Sequence, residues 1–252
     1  TSDCSDWRSK MQLDMNNPQR IAFNGSYPAS CGDKSWSIAP AQPERFAAKA
    51  IEGMWRELGG KLTGAVRDGS VPQGLQPAFQ LESPALSEVV RDINKYSNNI
   101  MAQHVLLTLG MQRTGVASFD SARQSLAQWW AARWGNAEQP VVDNGAGLSR
   151  NASITASGLG QMLQNAWVSP VMPEFVSSMP IVGVDGTLRR SKSRFAGAAH
   201  LKTGSLRDSA ALAGYVDGAS GQRYVLVAMA NHANAAAART AWDALVDWTA
   251  AQ

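Results

Sequence analysis

Cysteine is nearly absent from this 252-residue chain: Cys4 and Cys31 are its only two, and none follows residue 31. No C-x-x-C pair and no paired histidines accompany them, so the ligand set of a structural zinc is not provided and no metal is expected. Two readings of the pair stay open. A disulfide would add roughly 3–4 kcal/mol through loop closure and would belong to an oxidising compartment; two buried free thiols are the alternative. Histidine is as scarce, with His104, His200 and His232 at neither metal nor triad spacing. No stretch approaches the ~18 consecutive apolar residues of a membrane span, and Thr1, Ser2, Asp3 and Cys4 do not resemble a signal peptide. A large excess of one charge is also missing: the formal net charge is +3, and charged residues make up 17%. The basic residues are scattered apart from Arg189, Arg190, Lys192 and Arg194, so nucleic acid is not an expected partner. That short cluster reads as a solvated loop, with a surface facing an anionic polymer as the alternative.

What is present suits a globular protein. Hydrophobic residues make up 44% of the chain, and a chain of this length buries roughly 70–75% of its unfolded surface, enough for one large domain with an appendage. Residues 1–40 are rich in Ser, Asn, Asp and Gly, with the apolar piece Ile21-Ala22-Phe23 and turn signals at Asn24-Gly25 and Tyr27-Pro28. They read as a small β-rich module. From Pro43 the period becomes helical, with Phe46, Ala47, Ala50, Ile51, Met54, Trp55 and Leu58 on one stripe before Gly59-Gly60. A strand is expected at Lys61–Arg67, then a helix capped by Ser83 and Pro84 that runs into Tyr96 and Ser97.

A second helix is expected from Ile100 to Leu109, which puts Ser97 at a helix–helix junction. His104 reads as a packing residue of that helix. Ser118 caps a helix bearing Trp129, Trp130 and Trp134, a tryptophan stripe that reads as core rather than a sugar platform. A further amphipathic helix spans Thr155 to Val168. After residue 197 the period shifts to two: His200–Thr203, Ala210–Val216 and Arg223–Ala230 read as three sequential antiparallel strands, and a last helix begins near Ala235. The expected class is α+β, an antiparallel sheet covered by helices on both faces.

Two short motifs carry chemistry. Lys202-Thr203-Gly204 offers a cation, a hydroxyl and a residue that lets a substrate backbone approach, and such a triplet arises by chance in roughly one chain of this size in twenty. Ser97-Asn98-Asn99 fits S-x-N, which alone means nothing and is explained equally well by helix capping. His200 lies two residues before Lys202 on a strand and should share its face.

Together these motifs match two of the three signatures of penicillin-recognising enzymes, S-x-x-K, S-x-N and K-T-G. The surrounding strings are Tyr96 to Ala102, Asn144-Gly145-Ala146-Gly147-Leu148-Ser149-Arg150, His200 to Leu206, and Ala213-Gly214-Tyr215-Val216. They resemble the D-alanyl-D-alanine carboxypeptidase/endopeptidase family, the class C low-molecular-mass penicillin-binding proteins. The resemblance spans nearly the whole chain and implies a penicillin-binding transpeptidase or β-lactamase-like fold. Tyr27-Pro28-Ala29-Ser30-Cys31 resembles the end of that family's inserted accessory domain. Residues 1–40 would then be accessory, and residues 41–252 the carboxy-terminal part of the serine peptidase domain.

The departure from the pattern is sharp: no serine in the sequence has a lysine three positions on. No nucleophile can be assigned, and the simplest expectation is a chain that begins partway through a longer protein. A partner piece after cleavage, or a pseudoenzyme, are the alternatives. The resemblance implies an exported, periplasmic enzyme without cofactors that takes peptidoglycan stem peptides ending in D-Ala-D-Ala, and β-lactams, through an acyl-enzyme. The missing amino-terminal segment of the same protein would be a further partner. Ser97 would relay a proton, and Asn99 would hold the substrate amide. Lys202 would supply positive potential, while Thr203, Gly204 and Ser205 would bind the substrate, Ser205 through its backbone N–H as an oxyanion donor. Rival expectations are a non-catalytic peptidoglycan-binding module and an esterase or β-lactamase on the same scaffold.

Overall fold

The structure is a computed structural model and describes Cys4, residues 6–17 and residues 20–252. Thr1, Ser2 and Asp3, whose sequence does not read as a leader, lie outside the described residues. The chain divides into two compact units, Thr1–Gln80 and Leu81–Gln252.

In the first unit, strands β1 (Met11–Asp14) and β2 (Ala22–Gly25) pair antiparallel, Leu13 opposite Phe23. Asn24-Gly25 thus closes a strand instead of making the expected turn. Cys4 and Cys31 are joined in a disulfide. Next to it Trp7 meets Tyr27 and Trp36 edge-on, at ring distances of 5.7 and 5.8 Å. A cross-link and a few aromatics replace the core that so short a segment cannot build. Helix α1 (Phe46–Glu57) forms as its stripe predicts, but none of its residues is buried. The strand expected at Lys61–Arg67 is absent, and residues 61–85 carry no helix or strand. A strand persists only where a neighbour pairs its backbone, and among the described residues of this unit the one ladder is β1–β2. The division at Gln80 also leaves α1 with the first unit.

The second unit opens with α2 (Leu86–Tyr96) and α3 (Asn99–Thr114). Ser83 does not cap α2; the cap position is Ala85, and the Glu88 carboxylate accepts its N–H. Helix α4 (Phe119–Trp134) is capped by Ser118 as expected and packs on α3. A Cβ on Gly110 would come within 2.9 Å of the Ala122 backbone, so glycine permits this close approach. Trp130 is 1% exposed, its rings stacked edge-on with Trp134 at 4.5 Å. His104, by contrast, is exposed, so the packing role expected of it is not filled. Helix α5 (Ala156–Trp167) is capped by the Thr155 hydroxyl, and α6 (Met172–Ser178), with Pro173 in its first turn, was not foreseen.

Strands β3 (Ala199–Leu206), β4 (Ser209–Asp217) and β5 (Arg223–Asn231) form an antiparallel meander in the order β3-β4-β5. Alternation sends Leu201, Leu212, Val216 and Leu226 to one face, where Val246 and Ala250 of α7 (Ala238–Ala250) cover them. Ala213, Tyr215, Val225 and Val227 go to the other face, against Leu159 and Leu163 of α5 and Val176 of α6. Both faces of the sheet are therefore covered by helices, the α+β architecture expected. The Tyr215 hydroxyl donates to the Leu163 carbonyl at 2.6 Å, and burial pushes its pKa up to about 12.

Gly214 marks the tightest approach in the sheet: its φ is +150°, and a Cβ there would sit 2.1 Å from the His200 carbonyl oxygen. Gly214→Ala should cost at least about 3 kcal/mol, the upper end of overpacking effects. Gly221, with φ +82° and open space around it, should lose only about 1 kcal/mol as alanine, from backbone strain alone. Urea unfolding of the two variants measures the difference.

Candidate active site

The S-x-N segment folds as it does because two helices must change direction within three residues. Ser97 ends α2 in the left-handed region, at φ 53° and ψ 48°, a conformation that costs a residue with a Cβ of order 1–3 kcal/mol. Asn98, not Ser97 or Asn99, caps α3: its side chain accepts the Met101 N–H at 3.1 Å. The Ser97 hydroxyl is thereby left out of capping. Asn99 is the first residue of α3 and half-buried.

Lys202, in the middle of β3, donates from Nζ to Ser97 Oγ and, at 3.0 Å, to the Thr203 carbonyl oxygen. The two motifs, 105 positions apart, thus meet at one point. Burial lowers the Lys202 pKa from its ordinary value, since withdrawal from water disfavours the charged form. His200 shares the Lys202 side of β3, as expected, but its Nδ1 lies 3.2 Å from the Val176 carbonyl oxygen on α6.

The junction is held from behind by residues that sequence reading did not single out. Lys95, 8% exposed, bonds Asp185 at 2.5 Å, and Asn94 donates to Ser178 at 2.8 Å. Burial pushes the Asp185 pKa up, but the Lys95 hydrogen bond, the Ile181 N–H, and the Lys95 and His200 charges outweigh it and leave the carboxyl below its usual value. A Cβ on Gly186 would come within 2.6 Å of the Lys95 carbonyl oxygen, so this loop is pressed directly onto the end of α2. One residue on, the Thr187 hydroxyl lies 3.1 Å from that of Thr203. No local pattern reveals these partners, because Lys95 and Asp185 are 90 positions apart.

Strand β3 is an edge strand, and its outer side is only partly covered. The Leu201 N–H donates to the Pro180 carbonyl, and the Ala199 carbonyl accepts from Val182. Alternation along an antiparallel strand then turns the backbone groups of Thr203 and Ser205 to the same outer edge. Gly204 is exposed, and a Cβ there would meet nothing closer than Ala211 at 3.7 Å, so packing does not demand glycine. The Ser205 hydroxyl accepts from Arg239 of α7 at 2.8 Å.

Beyond Gly204, on the sheet face that carries Lys202, opens a cavity of about 810 Å3. Trp129 and Trp130 of α4, Met162 of α5, Leu206 and Met229 line its apolar wall, and Asn144 and Arg150 border it. The Asn144 to Arg150 string is a turn and a wall at once. Asn144 Oδ1 accepts the Ala146 N–H at 3.0 Å, and Arg150 bonds Asp208 in the β3–β4 turn at 2.5 Å. Among the described residues no group of three or more His, Cys, Asp or Glu is placed to hold a metal ion.

The helix-covered antiparallel sheet, and the meeting of its edge-strand lysine with the serine of a helix junction, fit a protein of the penicillin-recognising serine peptidase class. The chain belongs to the D-Ala-D-Ala carboxypeptidase 3 (S13) family, whose model matches residues 1–252. It is 28% identical over 212 residues to a D-alanyl-D-alanine carboxypeptidase of Actinomadura sp. strain R39, covering 80% of this chain and 39% of that protein. Carboxypeptidase DacB of Haemophilus influenzae is 26% identical over 203 residues, with 77% and 42% covered. The chain therefore spans about two fifths of the length of these relatives. In fold it is similar to penicillin-binding protein 4 of H. influenzae, with a TM-score of 0.72 at 21% identity over 94% of this chain and 56% of that one.

Two measurements probe the junction. Ser97→Gly and Ser97→Ala both delete the hydroxyl, but only glycine removes the left-handed strain, so the glycine variant should be more stable by about 1 kcal/mol in urea unfolding. Lys202 is a base whose folded-state pKa lies below its unfolded one, so the unfolded chain binds more protons between the two values. Wild-type stability should then rise with pH across that window, up to the ordinary lysine value of 10.5. A Lys202→Met variant lacks this term. Its stability relative to wild type should fall as pH is raised from 7 to 10.

Proposed function

We propose that this chain is the carboxy-terminal part of an exported serine-type D-Ala-D-Ala carboxypeptidase/endopeptidase. It would act on peptidoglycan stem peptides through an acyl-enzyme and be acylated by β-lactams. The observation that carries the reading is the meeting of Lys202 Nζ with Ser97 Oγ beside an open strand edge. In this reading residues 1–40 end an inserted accessory domain and residues 41–252 belong to the peptidase domain. The Cys4–Cys31 disulfide suits an oxidising compartment such as the periplasm. Among the described residues no helix is long and apolar enough to cross a membrane.

The reaction begins with a serine that lies outside these 252 residues, because none here has the S-x-x-K partner lysine. The segment bearing it docks in the cavity between α4 and the sheet, and its serine is presented to the Ser97–Lys202 pair. That serine attacks the carbonyl between the two D-alanines. The oxyanion takes the Ser205 N–H, which the edge position of β3 leaves available, as one of its donors. Ser97, hydrogen-bonded to an ammonium, passes a proton to the leaving amine. A hydroxyl serves because it donates and accepts at once. Lys202 holds this relay electropositive, and its depressed pKa brings proton exchange closer to neutral pH. Asn99 holds the substrate amide, and the Thr203 hydroxyl binds the terminal carboxylate. Gly204, which the fold does not itself require, leaves room for the substrate backbone.

The absence of a nucleophile favours a second reading, a module that recognises peptidoglycan ends without covalent chemistry. A fluorescent penicillin distinguishes the two. The isolated chain should not be labelled. The native protein that contains it should be, and Ser97→Ala or Lys202→Ala in that protein should slow acylation by roughly 10²–10⁴-fold, the range of a lost general acid or base. A native protein that binds stem peptide but never takes the label would establish the second reading instead.

A further inference from the structure

The loop from Gly186 to Phe195 carries the basic residues that stand out in the sequence, Arg189, Arg190, Lys192 and Arg194, and no carboxylate occurs between Asp185 and Asp208. Its ends are anchored by Leu188 and Phe195, which pack with the core residues that α7 covers. Between them Ser191 donates to Asp243 at 2.8 Å and Ser193 to Asp247 at 2.5 Å, while the backbone N–H and Nε of Arg194 donate to Asp247 at 2.9 and 3.1 Å. Asp243 and Asp247 lie four residues apart and so share one face of α7. Both carboxylates are spent on holding the loop. Arg189, Arg190 and Lys192 are exposed, and none of the three forms an ion pair among the described residues. Three cations are thus held in a pinned loop without a counter-charge. That loop is continuous with the cleft: Thr187, two residues before Arg189, has its hydroxyl 3.1 Å from that of Thr203.

We infer that Arg189, Arg190 and Lys192 form a docking surface for polymeric peptidoglycan, where they hold carboxylates of the stem peptides that neighbour the one in the cleft. The inference rests on the function proposed above and extends it from the scissile stem to the polymer that bears it. A polymer with many stems presents anions beyond the one being cleaved, and contacts to them become intramolecular once one stem is bound. Arginine pairs with a carboxylate through its planar fork and lysine as a point charge. A loop fixed beforehand loses little freedom on binding. Exposed ion pairs are individually weak and screened by salt, so the surface acts by number. Charge alone would suit an anionic lipid surface equally. Continuity with Thr187 and Thr203 favours the polymer that enters the cleft.

The test sediments the native protein that contains this chain with purified peptidoglycan at low and high salt, alongside the same polymer with its carboxylates amidated and vesicles of phosphatidylglycerol. The triple variant Arg189→Gln, Arg190→Gln, Lys192→Gln should bind the polymer about tenfold more weakly at low salt. It should match the wild type at high salt and on the amidated polymer. Its acylation by benzylpenicillin, a small molecule that brings no neighbouring stem, should keep the wild-type rate. Equal binding of variant and wild type to the unmodified polymer at low salt would overturn the inference. So would a loss that persists on the amidated polymer, a loss confined to the vesicles, or a parallel fall in penicillin acylation, which would show that the substitutions disturb the cleft itself. Penicillin labelling reads the proposed function separately: a wild-type protein that takes no label refutes the acyl-enzyme, while sedimentation still decides the docking surface.

Discussion

The structure turns on one ammonium group withdrawn from water. A lysine at the centre of an edge strand would ordinarily reach for solvent; Lys202 instead turns inward and donates to a serine hydroxyl and a carbonyl oxygen. Desolvation makes that position costly, so the groups around it must be fixed well enough to keep supplying acceptors. Ser97 is fixed by a backbone conformation that disfavours any side chain. The strain is tolerated because α2 is clamped behind it, by Lys95 on Asp185 and by Gly186 pressed on the Lys95 carbonyl. Two lysines on two elements thus meet at the junction, Lys95 paired with a carboxylate and Lys202, among the described residues, with a hydroxyl and a carbonyl oxygen.

The sheet serves the same end. Helices cover both of its faces, so the surface it leaves available near Lys202 is an edge, where Thr203 and Ser205 show their backbone groups outward. Edges are hazards when long and flat, and this one is short because the segment through Pro180 and Val182 pairs with its first residues. What remains is the length of a few residues, bounded by Thr187 on one side and Arg239 on the other. The neighbouring cavity is walled by Trp129, Trp130 and Met229, a lining suited to packed side chains more than to a freely exchanging polar substrate.

Some of this was legible in the residues. The three strands announce themselves by a period shifting towards two between polar or Gly-containing turns, and Ser118 and Thr155 cap the helices they precede, because capping and periodicity are local properties. The tryptophans of α4 read as core and Trp130 is buried, though Trp129 and Trp130 also wall the cavity. Other expectations failed for equally physical reasons. Lys61–Arg67 has strand-like residues but no partner strand. Ser83 is a good capping residue two positions too early, since α2 starts beyond Ala85. His104 sits on a helix with apolar neighbours yet on the side that nothing covers. The apolar stripe of α1 forms its helix and remains exposed, because periodicity predicts a face and not what will cover it.

By itself, the sequence determined the type of most elements, the two motifs and the lack of an S-x-x-K serine, all of which are set by residues within a few positions of one another. Only the tertiary structure decided that residues 97 and 202 meet, that Asn98 and not Ser97 does the capping, that Asp185 answers Lys95, and that Arg239 donates to the Ser205 hydroxyl. Apart from the local Asn98 cap, those pairings join positions 34 to 105 residues apart. Which groups meet at such separations depends on how the helices pack across the sheet, and no local spacing encodes it.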